Sequence, residues 1–285
     1  MNKPYAIKIF LPGGDPNGLR TIEKSSWNGC GLVVPRALFG EARKREDWTR
    51  AGVYVLVGPP ENSGLPRIYV GEGDPIGPRL EQHAVKKDFW ITAIAFTSNS
   101  KDAKLNKAHV QYLEARLVKL AAKAKRCVLD NGNEPQLPSL SESDQADAEG
   151  FFDAMMLCFP VLGLDVFTEM VTASKSDPVL HLQSKGIAAQ GTASAQGFVV
   201  HKGSRAVKAT QPSCQACFRQ LRDGLIGNGV LKLDRDGYVY TQDYPFSSPS
   251  TAAGVTLGRA ANGRTAWKTK DGRTLKELQD GEVSR

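Results

Sequence analysis

Five side chains stand out for their chemistry and their spacing: Tyr54, Tyr69, Arg79, His83 and Glu114. Tyr54 and Tyr69 fall in two β-rich runs, Gly52–Gly58 and Arg67–Gly71, which read as an antiparallel hairpin with a long loop from Pro59 to Pro66. Arg79 and His83 are four residues apart on a following helix and so share a face one turn apart. Glu114 lies on a long helix, about 90° from the centre of its apolar face by the 3.6-residue period, where a carboxylate can be half-buried and still reach a cleft. A guanidinium can clamp an anion, a carboxylate is a hard oxygen donor, and a phenol with a pKa of about 10 is a poor base unless a neighbour helps it. Taken singly, each has a plain structural explanation: packed strand tyrosines, a solvated helix face, a glutamate paired with a basic neighbour.

The elements that must position them are readable. A strand over Tyr5–Leu11 ends at Pro12-Gly13-Gly14-Asp15-Pro16-Asn17-Gly18, a short strand is expected at Gly31–Val34, and a helix over Pro35–Arg50. After the hairpin come a helix from Pro78 to about Lys87, a strand over Trp90–Thr97, and a helix from Asn106 to Arg126 whose Val110, Leu113, Leu117, Leu120 and Ala124 line one face. That order describes a compact α/β domain over residues 1–130. Residues 131–165 read as an acidic linker and a connecting helix bearing Phe151, Phe152, Met155, Met156 and Phe159. From 166 to 285 a second, mostly β α+β domain is expected. Its strands are placed at Val166–Thr168, Val179–Leu182 and Gly197–Val200, a helix near Cys214–Leu225, a hairpin around Asp236-Gly237, and a helix Thr251–Arg259 capped by Ser250, with turns at Asn262-Gly263 and Asp271-Gly272.

It is the order that gives the five residues meaning. Gly52-Val53-Tyr54, then Tyr69-Val70-Gly71, then Arg79, His83 and the helical Glu114 resemble the GIY-YIG nuclease superfamily, with Val for Ile in each tripeptide. The similar parts run from about Gly52 to Asn133. Leu105-Asn106-Lys107, Gln111-Tyr112-Leu113-Glu114 and Leu129–Pro135 are similar to a bacterial subfamily, as is Ile9–Pro12 through Pro35-Arg36. Phe246–Ser250 and Gly258–Trp267 look like an uncharacterised domain often appended to these proteins.

The resemblance implies a small antiparallel sheet flanked by helices, and hydrolysis of DNA phosphodiesters with one Mg²⁺ or Mn²⁺. It makes Glu114 the metal ligand, Arg79 the phosphate clamp, Tyr54 the group that activates water, and Tyr69 a positioner of phosphate or water. His83, with Arg79, is placed to help the Tyr54 phenol act as base. Gly71 and either Asn131 or Asn133 would border the substrate. Glu72 departs from the pattern, since the family more often has a small polar residue there. That acid favours a second reading, a catalytically silent nucleic-acid-binding or regulatory module.

Composition sets the wider frame. The 285 residues are 41% hydrophobic and 24% charged, about two domains' worth of ordinary soluble chain. No apolar run approaches the roughly 18 residues of a membrane helix, so no membrane partner is expected. Five cysteines, an odd number, suggest a reducing cytoplasm rather than a disulfide framework. The net charge of +7 divides into +9 over residues 1–126, −8 over 127–165 and +6 over 166–285. Two basic bodies flank an acidic stretch, which suits a polyanionic partner. In the second body Arg259, Arg264, Lys268, Lys270 and Arg273 interleave with Trp267, a pattern that could grip a nucleic-acid backbone. Gly71, Gly73 and Gly77 do not complete a dinucleotide loop, and Cys214-Gln215-Ala216-Cys217 is a lone pair without a second.

Overall fold

The computed structural model describes residues 4–60, 64–99, 105–168, 178–184, 186–194 and 197–283. The tip of the hairpin loop, residues 61–63, lies outside the described residues. The chain is mixed α/β with several sheets and divides into two compact units, 1–60 with 66–169 and 61–65 with 170–285.

In the first unit, strands β1 (Ile7–Phe10), β2 (Arg20–Lys24), β3 (Gly29–Pro35), β4 (Gly52–Pro60), β5 (Pro66–Gly73), β6 (Thr92–Ser98) and β7 (Val128–Leu129) form one sheet in the order β1-β2-β3-β6-β4-β5-β7. The small antiparallel sheet expected from the sequence is therefore larger, and it ends in one parallel pairing, β5 with β7. Strand alternation gives the sheet two apolar faces. Leu32, Val34, Tyr54, Leu56, Ala93 and Ala95 point to one, where Ile76 and Leu80 of helix α2 cover them once α1 has been passed (α1, Phe39–Ala42; α2, Ile76–Lys86). Val33, Val53, Val55, Ile68, Val70, Ile94 and Phe96 point to the other, covered by α3 (Lys107–Ala124), α4 (Glu142–Met156) and α5 (Cys158–Val161).

Three departures have clear causes. Residues 36–49 do not form one helix but a 3₁₀ turn, the short α1 and a second 3₁₀ turn at Glu46–Thr49. Phe39 and Trp48 are nine residues apart and a straight helix would send them to opposite sides; the break lets their rings meet at 5.5 Å on the sheet. The connecting helix, α4, begins earlier than expected, at Glu142 within the acidic stretch, and is capped by Ser141, which accepts from the Asp144 amide at 3.1 Å. Ala148, Phe151, Phe152 and Met155 of α4 are buried, while Glu149 pairs with Arg116 and Tyr112 of α3. Val166–Thr168 is not a strand: Val166 and Phe167 fill the core from an irregular turn, with Phe167 4.7 Å from the Phe159 ring.

The second unit holds β8 (Leu180–Ser184), β9 (Ile187–Ser194), β10 (Gly197–Val200), β11 (Arg205–Val207), β12 (Leu231–Asp234), β13 (Gly237–Tyr240) and β14 (Tyr244–Phe246). They form a four-stranded sheet, β14-β10-β9-β8, and a three-stranded sheet, β11-β13-β12. Helices α6 (Ala216–Gly227), α7 (Pro249–Leu257), α8 (Gly263–Ala266) and α9 (Leu275–Val283) complete it. The cap of α7 is Ser248 rather than Ser250, because Pro249 takes the first helical position, where its missing N–H costs nothing. The expected turn at Asn262-Gly263 is instead the start of α8, with Asn262 as cap. Trp267 is fully buried, with its indole N–H donating to the Pro249 carbonyl at 3.1 Å and its ring 4.4 Å from Phe198. It is a core residue and offers no stacking surface.

Candidate active site

Strands β4 and β5 pair in a register that sets Tyr54 opposite Gly71 and Leu56 opposite Tyr69, so both tyrosines share the face covered by α2. A Cβ on Gly71 would overlap the Tyr54 phenol, whose Oη, Cζ and Cε2 are the three nearest atoms. The glycine thus lets the phenol lie across the neighbouring strand. Helix α2 is docked by two local contacts. The Ile76 amide donates to the Arg50 carbonyl at 2.8 Å, and Gly77 leaves room for Trp48. Ile76, Leu80 and His83 then fall on its buried side.

His83 is 7% exposed and its Nδ1 is 2.6 Å from Tyr54 Oη. Its ring also stands edge-on to Tyr69, with centroids 4.7 Å apart. Burial, then the charges of Arg79, Lys87 and Lys86, lower the His83 pKa to about 4. Burial, together with the neighbouring Tyr69, pushes the Tyr54 phenol far above its usual value, although Arg79 opposes this. Both groups are neutral near pH 7, so a phenol O–H donating to an imidazole nitrogen fits the pair.

Glu114 on α3 is half-buried. Burial and then the negative charge of Glu72 raise its pKa to about 7, against Arg79 and Lys107. Arg79 is exposed, donates to Gln82 Oε1 at 2.8 Å, and its charge acts on Tyr54, Tyr69 and Glu114 alike. Glu72 does not stand free: Lys107 Nζ is 2.6 and 2.8 Å from its two oxygens. Lys107 and Glu114 are two turns apart on α3, which aligns them along one face. Among the described residues no group of three or more His, Cys, Asp or Glu could hold a metal. A cation here would have Glu114, with Glu72 nearby, and otherwise water and substrate oxygens. That is a hard-oxygen set which suits Mg²⁺ or Mn²⁺, and the burial that chiefly raises the Glu114 pKa is a penalty on its charge that a bound cation would offset.

The structure brings Tyr54, Tyr69, His83, Arg79 and Glu114 into one electrostatic neighbourhood. It separates the two asparagines. Asn131 accepts from the Val70 amide at 2.9 Å and donates to the Val70 carbonyl at 2.8 Å, extending the β7 pairing along the edge of β5. Asn133 is exposed two residues on. The sequence reading missed three contributors. Lys87 sits 4.1 Å over the Tyr69 ring and pairs with Asp130 at 2.6 Å, and Arg67 also donates to Asp130, at 2.9 Å through Nε. Burial alone would raise the Asp130 pKa, but hydrogen bonds from Lys87 and Arg67 hold it below the usual range. A basic residue at the end of α2 and the first acid after α3 were the available signal.

Elsewhere the described cysteines are all free, with Cys214 buried and Cys217 exposed. No helix among the described residues is long and apolar enough to cross a membrane. No curated protein matches the chain, and neither does any solved structure. Within the second unit, residues 180–279 match a domain of unknown function, DUF4357.

Proposed function

We propose that the first unit is a metal-dependent endonuclease of the GIY-YIG type, hydrolysing phosphodiester bonds in DNA. The observation that carries this reading is the 2.6 Å contact between Tyr54 Oη and His83 Nδ1. It gives the phenol proton an acceptor, one whose low pKa of about 4 the negative charge of a bound phosphodiester would raise toward the working range. With His83 neutral and its proton on Nε2, Tyr54 takes a proton from water as its own proton passes to His83 Nδ1. No free phenolate has to form in the buried site. The hydroxide attacks phosphorus and the bond to the leaving sugar oxygen breaks, that oxygen taking up a proton from water. Arg79 holds the phosphate and offsets the charge that builds on it. Tyr69, fixed by His83 and Lys87, orients phosphate or water. Glu114 would hold the divalent ion, which when bound supplies further positive charge to the phosphate oxygens.

A silent nucleic-acid-binding module is the second reading, favoured by the Glu72–Lys107 pair beside Glu114. Incubating plasmid and single-stranded DNA with Mg²⁺ or Mn²⁺ separates the two. Cleavage that EDTA abolishes, and that Glu114→Ala loses while melting within a few degrees of the parent, supports the nuclease. Undiminished cutting by Glu114→Ala sinks the site assignment. Salt-sensitive retention of DNA without any cleavage supports the silent module.

A further inference from the structure

The second unit contains a polar trough to which the catalytic reading gives no role. Strands β8 and β9 pair with His181 opposite Gln190 and Gln183 opposite Ala188, which puts these four on one face. The alternate residues Leu180, Leu182 and Ala189 are buried on the other. On the open face lies a cavity of about 410 Å³, lined by His181, Gln183, Gln190, Lys202, Ser204 and Arg205, with small Ala188 and Gly203 between them. No acidic side chain lines it.

Both rims are built rigidly. On one side the Ser204 hydroxyl accepts from the Gln190 amide at 2.9 Å and donates to the Gln190 carbonyl at 3.1 Å. The Gly203 amide donates to Tyr240 O, and the Lys202 amide to Asp243 Oδ1 at 2.6 Å. On the other side Lys268 forms a two-way backbone bridge with His181, which carries Lys268 onto the same face as His181 and Gln190. Arg205 is paired with Asp234 and Asp236. Lys202 and Lys268 are exposed and form no ion pair among the described residues. The trough therefore presents Lys202, and at its edge Lys268 within electrostatic reach of Glu277, flanking amides that both donate and accept.

We propose that this trough binds a single strand of DNA, with Lys202 and Lys268 on phosphates and Gln183 and Gln190 against base edges. Lys268 flanks β8 through His181 and Lys202 follows β10 on the far side of β9, so several strand spacings of about 4.8 Å separate the two lysines. Amides suit base edges, which carry both donors and acceptors, while separated lysines suit a chain of charges better than one compact anion. The choice of DNA rests on the nuclease reading of the first unit; the trough itself does not.

The test is fluorescence anisotropy of the full chain with a labelled mixed-sequence single strand, in EDTA so that no cleavage intervenes. Lys202→Glu with Lys268→Glu is expected to weaken binding at least about tenfold and to reduce the salt slope by about 1.4, roughly 0.7 per lost phosphate contact. Arg219→Glu with Lys232→Glu makes the same charge change at exposed positions outside the trough and is expected to retain binding. Lys202→Arg with Lys268→Arg is expected to restore it, which separates charge from misfolding. Equal loss in both glutamate pairs, no loss in either, no binding by the parent chain, or equal affinity for a duplex of the same sequence overturns the proposal. If trough binding holds but no metal-dependent cleavage is found, the nuclease reading fails and the trough stands. If cleavage is found but the trough pair binds normally, the reverse is true.

Discussion

The Tyr54 hydroxyl is 2.6 Å from Nδ1 of a histidine that burial first, and then its basic neighbours, keep neutral. Under the proposed relay the two act as one proton-transfer unit, so removing either should cost nearly as much as removing both. Tyr54→Phe and His83→Gln are each expected to lower metal-dependent cleavage by about 10²–10⁴, and the double variant by no more than the worse single. Additive losses in log rate would show that the two side chains act independently.

Gly71 is the partner that lets the phenol lie flat. Gly71→Ala places a methyl against the Tyr54 ring and is expected to destabilise the chain by about 1–3 kcal/mol, read by denaturant unfolding. Gly132→Ala, with nothing within 4 Å of the added carbon, should be near neutral. Equal effects would mean that the ring yields freely.

Stability without metal should carry opposing pH slopes from Glu114 and His83. Folded Glu114 keeps its proton to about 7 against 4.5 when unfolded, so the folded state holds more protons and stability falls as pH rises through that window. Folded His83 has its pKa lowered to about 4 from 6.5, so the unfolded state holds more protons and stability rises with pH between those values. In the parent chain the two oppose one another from about pH 4.5 to 6.5. Glu114→Gln should therefore have a Tm that climbs over that range, and His83→Phe one that falls, each relative to the parent. After discount for solvent screening, each slope amounts to about 1–2 kcal/mol. Parallel melting curves for parent and Glu114→Gln across pH 4.5–7.5 would contradict the raised Glu114 pKa.

Asn131 replaces two rungs of sheet along β5, and Asn133 none. Asn131→Ala should cost about 1–3 kcal/mol and speed hydrogen exchange at the Val70 amide, while Asn133→Ala leaves both unchanged. A larger loss from Asn133→Ala would reverse the assignment of the two.

How much of this was legible in the sequence varied with the physics involved. The hairpin was readable from two short β-rich apolar runs bounded by turn residues, β4 being buried on both faces, and α3 from a stripe of period 3.6 along Val110, Leu113 and Leu117. The connecting helix was readable from Phe151, Phe152 and Met155, but the acids before them disguised the first part of α4, from Glu142 to Gly150, as linker. Strand β9, with its glycine and alanines, carries little local signal and depends on its neighbours. In the site, residue types and order pointed to Tyr54, His83 and Glu114. The partners Lys107 for Glu72 and Lys87 for Tyr69 could not be read, because 35 and 18 residues of chain separate groups that only folding brings together. Trp267 misled for the opposite reason: its basic neighbours stay at the surface while the indole turns inward.

The position of β6 in the first sheet has a consequence for any shortened version of this protein. The strand lies between β4 and β3, and every one of its residues from Thr92 to Ser98 is matched to a partner in Gly29–Pro35. A chain begun at Ala51 would keep all five of these side chains yet expose that edge, leaving unpaired every second amide along Ala93–Phe96, those that faced β3. Such an edge templates intermolecular β-pairing. The first 35 residues hold none of the five side chains, yet they cover the edge that would otherwise stand open to such pairing.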